Sequence, residues 1–260
     1  MPKVLVCGRG GSGKSTLVTM LARLLAEQGK VLVVDADESN LGLGKMLGIT
    51  PPARALMESL GGKRAVGEKL MAAIRSKGTE EVKMFSGNFG TGELPDETVT
   101  WKGRVGLLQI GKIKHSKEGC ACPMGALARE FLNKLTLGSQ EWVVVDTEAG
   151  LEHFGRGVFE GVDKVLMIVD PSQEAVLLAE KIVRLAGEAN KQLAVVLNKV
   201  DEQTGRRLRE MLAEKKIKVT AALPYSPDIA EANLAGDPLA VDPLQQKLEE
   251  IITGEFSTLA

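Results

Sequence analysis

Cysteine is scarce in this chain, with three among 260 residues. Three thiols do not make a disulfide framework, so a small secreted scaffold stapled by bridges is excluded. An excess of charge of either sign is also lacking: 33 Lys and Arg face 34 Asp and Glu, a formal net charge of -1. No global field therefore draws the chain to nucleic acid or to an anionic membrane. No apolar run approaches the roughly 20 residues that a membrane span requires. The opening residues carry one early lysine and a short apolar run instead of a secretion signal. Internal repeats and low-complexity tracts are missing as well. The expectation is a cytoplasmic protein with no nucleic-acid or membrane partner. What is present is an ordinary globular composition, 44% hydrophobic, in a chain long enough for one sizeable core or two small ones.

The most informative segment is Cys7-Gly8-Arg9-Gly10-Gly11-Ser12-Gly13-Lys14-Ser15-Thr16. Gly8 to Ser15 satisfies G-x-x-x-x-G-K-[ST], the pattern of a phosphate-binding loop. Its context agrees. Val4 to Val6 reads as a buried strand, and Leu17, Leu21, Leu24 and Leu25 recur at helical spacing behind the loop. Glycines let backbone N–H groups turn inward on a polyphosphate, and the helix adds its positive end. Lys14 is expected to reach the β- and γ-phosphates and Ser15 to offer its hydroxyl to magnesium.

Apolar runs alternate with helical patterns along the rest of the chain. The runs are Val31 to Val34, Val105 to Ile110, Trp142 to Val145, Val165 to Val169, Leu193 to Leu197 and Val219 to Leu223. Helical spacing lies between many of them, as in Met124 to Leu135 and Glu174 to Glu188. This alternation predicts an α/β fold, a mostly parallel sheet covered by helices on both faces. One domain over 1–260 is expected. The stretch from about 50 to 103 breaks the rhythm and reads as an insertion with a helix from Arg64 to Arg75. It is either a solvated excursion or a lid or partner-binding element.

Acids mark several strand ends. Asp35-Ala36-Asp37 closes the second strand, and alternation points both carboxylates the same way. Ligands of open α/β sheets bind at that end of the strands. Val143-Val144-Val145-Asp146 is a Walker B pattern, whose Asp holds magnesium through water. Gly150 follows at an offset that suits a backbone N–H near the γ-phosphate. Asn198-Lys199-Val200-Asp201 has the form N-K-x-D, the guanine-reading motif of GTPases. Asp146 and Gly150 are, however, one residue further apart than the D-x-x-G of GTPases. Asn198 is taken as a base-binding residue, with guanine kept as the alternative. Cys120-Ala121-Cys122-Pro123 places two thiols ahead of a helix, where thiolate is favoured and soft or borderline metals bind. Two ligands do not complete a tetrahedral site, and an inert pair is the alternative. Cys7 reads as a core residue, and His115, among Lys112, Lys114 and Lys117, as solvated.

Arg9-Gly10-Gly11-Ser12-Gly13-Lys14-Ser15 resembles the deviant Walker A motif of the MinD/ParA/nitrogenase iron protein superfamily. That group has a lysine at the position of Arg9, reaching across a dimer to the partner's nucleotide. Within the group the chain resembles the CooC-type nickel-insertion ATPases, which mature carbon monoxide dehydrogenase. The segments that carry this are Gly8 to Thr16, Asp35-Ala36-Asp37 with Asn40-Leu41-Gly42, Gly119 to Pro123, and Asp146 to Gly157. The resemblance implies a parallel sheet of about seven strands and a nucleotide-sandwich homodimer working as a magnesium-dependent ATPase on ATP, with ADP as product. It implies phosphate contacts from Gly8, Gly10, Gly11, Ser12, Gly13, Lys14, Ser15 and Thr16. Asp37 would orient the attacking water, and Arg9 would act in trans. Asp35 and Asp146 would join Ser15 at magnesium, and Asn198 and Pro224 would frame adenine. Cys120 and Cys122 of both subunits would hold one nickel or zinc ion at the dimer interface, for delivery to carbon monoxide dehydrogenase. Two other readings are an electron-transfer ATPase with a dimer-bridging iron–sulfur cluster and a MinD/ParA-like positioning ATPase.

Overall fold

Strand β1 (Lys3–Gly8) lies at the middle of the molecule and is buried along nearly its whole length. The structure, a computed structural model, describes residues 2–75, 84–113, 122–151 and 157–255. Helix α1 (Lys14–Leu25) returns the chain to β2 (Lys30–Ala36), and α2 (Leu43–Leu47), α3 (Leu56–Ser59) and α4 (Gly62–Arg75) follow. Next come β3 (Phe89–Gly90), β4 (Val99–Lys102), β5 (Val105–Gln109), α5 (Cys122–Lys134), β6 (Leu135–Thr136) and β7 (Glu141–Thr147). The chain then runs through β8 (Lys164–Val169), α6 (Gln173–Glu188), β9 (Gln192–Asn198) and α7 (Glu202–Glu214). It continues with β10 (Ala221–Leu223), α8 (Pro227–Ala235) and α9 (Gln245–Glu255).

The main sheet has eight strands in the order β10-β9-β8-β1-β7-β2-β5-β4. Every pairing is parallel except that of β4 with β5. The central strands read as unbroken apolar runs because helices cover both faces. Alternate strand residues accordingly enter two cores. Leu5, Val34, Val143 and Val145 join α5, α6 and α7 on one face. Val4, Val6, Val33 and Val144 join α1 and α9 on the other.

The eighth strand corrects the expectation of seven. It is β4, inside the stretch expected to be an insertion. Gly103, at φ 61, turns the chain there so that β4 pairs antiparallel with β5 at the sheet edge. Only Val99 of its four residues is buried, so no continuous apolar run announced it. The same stretch is tied to the core elsewhere. Val66 of α4 shares a core with Phe131 of α5, and the rings of Phe85, Phe89 and Phe131 lie 5.0 to 6.1 Å apart. Glu130 accepts the N–H groups of Met84 and Phe85. Among the described residues no helix is long and apolar enough to cross a membrane.

Candidate nucleotide-binding site

The loop between β1 and α1 is shaped to receive an anion. Gly13 sits at φ 99 ahead of α1, which has no side-chain cap and no acid in its first turn. The first N–H groups of the helix therefore keep their positive end free for a phosphate. A Cβ on Gly13 would lie 2.3 Å from Asn198 Nδ2, so the residue needs both its φ and its bareness. Gly8 is pressed as closely, 2.7 Å from the Ile168 carbonyl oxygen to where its Cβ would stand. Ser12 is fully buried and its hydroxyl has no partner. Lys14 is buried and its ammonium donates to the Arg9 carbonyl at 3.1 Å, folded over the loop. Gly11 accepts from Lys199 Nζ at 2.8 Å, and Gly10 faces Ala149. Thr16 lies in the first turn of α1, half-buried. Gly150, expected near the γ-phosphate, donates its N–H to the Gly8 carbonyl at 3.3 Å.

Sheet register brings the acids to the same end of the molecule. Asp35 and Asp146 are direct partners on β2 and β7, and both are buried. Asp146 Oδ2 accepts from Ser15 Oγ at 2.6 Å and from Asn40 Nδ2 at 2.9 Å, while Oδ1 has no partner. Burial pushes this carboxyl up to about 7, against the hydrogen bond from Ser15. A buried carboxylate oxygen without a partner beside a serine hydroxyl fits a hard cation that takes oxygen ligands. Ser15 and Asp146 would hold magnesium here, and the ion would supply the positive charge that burial withholds.

Asp35 is treated differently. Its Oδ2 lies 2.7 Å from Lys112 Nζ and 3.2 Å from Gln109 Nε2, and its Oδ1 accepts the Asp37 N–H. Burial raises its pKa, and the Lys112 ammonium opposes the rise. Asp37 Oδ1 accepts the N–H and the hydroxyl of Ser39 at 2.9 and 2.6 Å. Asn40 donates to Ser15 Oγ and Asp146 Oδ2 together, bridging this loop to the phosphate loop.

Arg9 is held within its own chain. Its guanidinium forks onto Asp170, just past β8, with Nε 2.8 Å from Oδ1 and Nη2 2.5 Å from Oδ2. Asn198, at the end of β9, spends its amide N–H on the Ser12 carbonyl at 2.7 Å. The Oδ1 acceptor is what remains for a base, and it suits the exocyclic amino group of adenine. Asp201, the acid of N-K-x-D, caps α7 and accepts the Thr204 N–H at 2.7 Å. That bond holds its carboxyl below the usual range. Both observations count against guanine reading. Pro224 lines an open cleft of about 400 Å³ with Val200, Asp201, Arg206 and Arg209.

Cys120 lies outside the described residues. Cys122 opens α5, exposed and disulfide-bonded, so a metal-binding state requires reduction to the thiolate. Among the described residues no group of three or more His, Cys, Asp or Glu could hold a metal ion. Cys7 is buried, as expected, and burial pushes its thiol well up.

Three polar residues of the site were not legible as such. Asn40 belongs to a segment that carries the family resemblance, but no role is read for it there, although the strand-end rule could have supplied one. Lys112 stood among loop lysines and gave no local signal. Asp170 preceded Pro171 and Ser172, and nothing in the sequence ties it to Arg9.

Comparison with known proteins agrees with this geometry. The sequence profile of the CobQ/CobB/MinD/ParA nucleotide binding domain matches residues 3–239. An uncharacterized ATP-binding protein of Methanocaldococcus jannaschii is 43% identical over 96% of this chain and 99% of its own length. The carbon monoxide dehydrogenase accessory protein CooC of Rhodospirillum rubrum is 32% identical over 76% of this chain and 74% of its own. The septum site-determining protein MinD of Pyrococcus horikoshii, solved with Mg-ADP, superposes with a TM-score of 0.70 over 99% of this chain and 96% of its own, at 17% identity. That likeness is one of fold.

Two measurements check the electrostatic account. A carboxyl raised in the folded state favours folding at low pH, and that stability is lost as pH rises through the folded value. For Asp146 the window runs from the ordinary 3.8 to about 7. Thermal unfolding of magnesium-free, nucleotide-free protein should therefore show stability falling across this window, with a shallower slope in Asp146→Asn. An unaltered slope would remove Asp146 as the source. Asp201→Ala should cost about 0.5–2 kcal/mol of stability, as a lost helix cap does, and leave the preference for ATP over GTP as it was. A changed base preference would return Asp201 to the base site.

Proposed function

The chain belongs to the CobQ/CobB/MinD/ParA nucleotide-binding family, and on that premise we propose that it is an ATP-driven metallochaperone delivering nickel to carbon monoxide dehydrogenase. Membership carries P-loop ATPase activity with it. The chemistry asked of the protein is positioning and charge stabilisation, because phosphoryl transfer needs little else. Lys14 meets the charge developing on the transferred group. Ser15 and Asp146 would hold magnesium, with Asp35 behind them. Asp37 turns from Ser39 to orient the attacking water. Asn198 and Pro224 frame adenine. ATP is bound by a homodimer, and Arg9 leaves Asp170 to reach the partner's phosphates. Arginine serves that purpose because its planar fork fits phosphate as it fits carboxylate.

The observation that carries the metal half is where α5 is seated. Met124, Gly125 and Ala128 from its first turns line a small cavity with Ala36, Thr147 and Glu148. Ala36 adjoins Asp37, and Thr147 adjoins Asp146. A helix that starts at Cys122 thus rests on both acid-bearing strand ends. A change at the phosphates is passed to the thiol pair through packed atoms, since close-packed interiors transmit strain. The similarity to the carbon monoxide dehydrogenase accessory protein CooC supports carbon monoxide dehydrogenase as the recipient, and nickel as the cargo rests on the motif resemblance alone. Cys120 and Cys122 supply two thiolates per chain, and a twofold axis presents the same pair twice, which completes a four-sulfur site for nickel or zinc.

Equilibrium dialysis of the reduced protein against nickel or zinc, read with light scattering, tests this. One ion per two chains, with metal-promoted dimerisation, is expected. Cys122→Ser or Cys120→Ser should abolish metal uptake and spare ADP binding. One ion per chain, or a loaded monomer, would sink the shared site. A brown protein after anaerobic purification would favour a bridging iron–sulfur cluster instead.

The trans role of Arg9 is checked separately. Asp170→Asn should free Arg9 and strengthen ATP-dependent dimerisation, whereas Arg9→Ala should weaken dimerisation and turnover together. Mixed dimers of Arg9→Ala and Lys14→Ala chains should recover some turnover in one composite site. No recovery, with mixed dimers shown to form, would count against the trans contact.

A further inference from the structure

Lys112 is a largely buried cation that the phosphate chemistry leaves unused. It stands three residues beyond β5, where the chain still runs beside the extension of β2. The Ile110 N–H donates to the Asp35 carbonyl at 3.0 Å, and the Ile113 N–H to the Glu38 carbonyl at 3.3 Å. That path delivers Lys112 beneath the 37–40 loop. Its side chain is 9% exposed and that of Asp35 is 0% exposed. The ammonium lies 2.7 Å from Asp35 Oδ2, donates to the Asn40 carbonyl at 2.6 Å and donates to the Asp37 carbonyl as well. An ammonium has three N–H donors, and each finds one acceptor.

A purely structural ion pair would need only the first contact. The other two fall on the backbone of the two loop residues whose side chains work at the site. Asn40 reaches Ser15 and Asp146, and Asp37 is the expected water-orienting acid. The Ile113 N–H on the Glu38 carbonyl and the Asp37 N–H on Asp35 Oδ1 also hold this loop, together with local bonds of Asp37 to Ser39, of Asn40 to Gly42 and of the Asn40 N–H to the Asp37 carbonyl. Among the described residues, however, only Lys112 joins the Asp37 and Asn40 carbonyls to Asp35 through one group. Leu41, next along the chain, is 85% exposed and anchors nothing.

We propose that Lys112 is a positioning residue for ATP turnover, tying Asp35, Asp37 and Asn40 to one ammonium and so setting where the loop places Asp37 and Asn40. It touches no phosphate-loop atom and acts through the residues it holds. The inference rests on the ATPase activity and is independent of metal delivery. It also accounts for the treatment of Asp35. A second buried carboxylate beside Asp146 would repel it, and Lys112 cancels that charge.

The test uses the full chain and compares Asp35→Asn with Asp35→Asn/Lys112→Met. The double variant buries no lone charge, so it folds if Lys112 only balanced Asp35. Adding Lys112→Met should lower kcat about tenfold relative to Asp35→Asn, with the ADP Kd moving less than about threefold. Hydrogen exchange should speed up at amides 37–42 and stay as it was at 8–16. Lys112→Arg, which keeps the charge but cannot place three donors on the same acceptors, should also lose kcat and loop protection. Equal kcat in the compared pair would overturn the proposal. So would equal exchange at 37–42, or a loss of ADP affinity as large as the loss of kcat. Should the double variant not fold, wild-type kcat and exchange in Lys112→Arg would overturn it just as well. Absence of turnover in the unsubstituted chain would instead fault the ATPase reading, and the exchange data would still decide the role of Lys112.

Discussion

Parallel pairing of β1 with β7 on one side and β8 on the other is the constraint from which the site follows. Val6 is level with Asp146, and Gly8 with Ile168. Asp35 is level with Asp146 on the next strand, and Gln109 with Asp35 on the one beyond. Parallel strands end their carboxyl termini on one edge, so a phosphate loop there meets every acid that closes a neighbouring strand. A one-residue slip in any of these ladders would turn an acid away from the loop and an apolar side chain toward it.

Burial then forces each carboxylate at that edge into a different state. Asp170 is matched by the fork of Arg9, Asp35 by the ammonium of Lys112, and Asp146 keeps one oxygen without a partner. Two buried charges are paired with a cation inside the protein, and the third, with none among the described residues, is pushed up to about 7 by burial. The one left short of a partner is the one beside Ser15 and the open end of α1. An unpartnered carboxylate oxygen thus stands next to the loop shaped for phosphate. Hydrogen bonds from Ser15 and Asn40 to the other oxygen fix the carboxylate's orientation.

The same edge connects to the face that carries α5. The first turns of that helix pack against Ala36 and Thr147, the neighbours of Asp37 and Asp146. Gly111 is packed closely there: a Cβ would lie 2.4 Å from Met124 Sδ, so the methionine would have to move. Three strand ends and one helix start therefore share a tight volume, with Lys112 immediately beyond Gly111. A rearrangement of the 37–40 loop cannot leave this packing untouched.

Local chemistry was legible in the chain. The phosphate loop, the Walker B acid and the alternation of buried runs with helices were readable because each is written in neighbouring residues. A backbone turn needs its glycines in order, and a doubly covered strand needs an unbroken apolar run. Partners that meet across strands leave no such mark. Lys112 was only one of several lysines near His115 until the β2–β5 pairing brought it under Asp35. Nothing in the sequence singled out Asp170, which β8 sets beside Arg9. Asn198 and Asp201 spelled a guanine motif, yet the amide of one is spent on Ser12 and the carboxylate of the other on capping α7. Strand β4 escaped notice because an edge strand buries one face at most and needs no apolar run. Sequence by itself determined which residues could bind phosphate. The tertiary structure decided which of its charges were already satisfied, because burial and pairing depend on side chains brought together from distant parts of the chain.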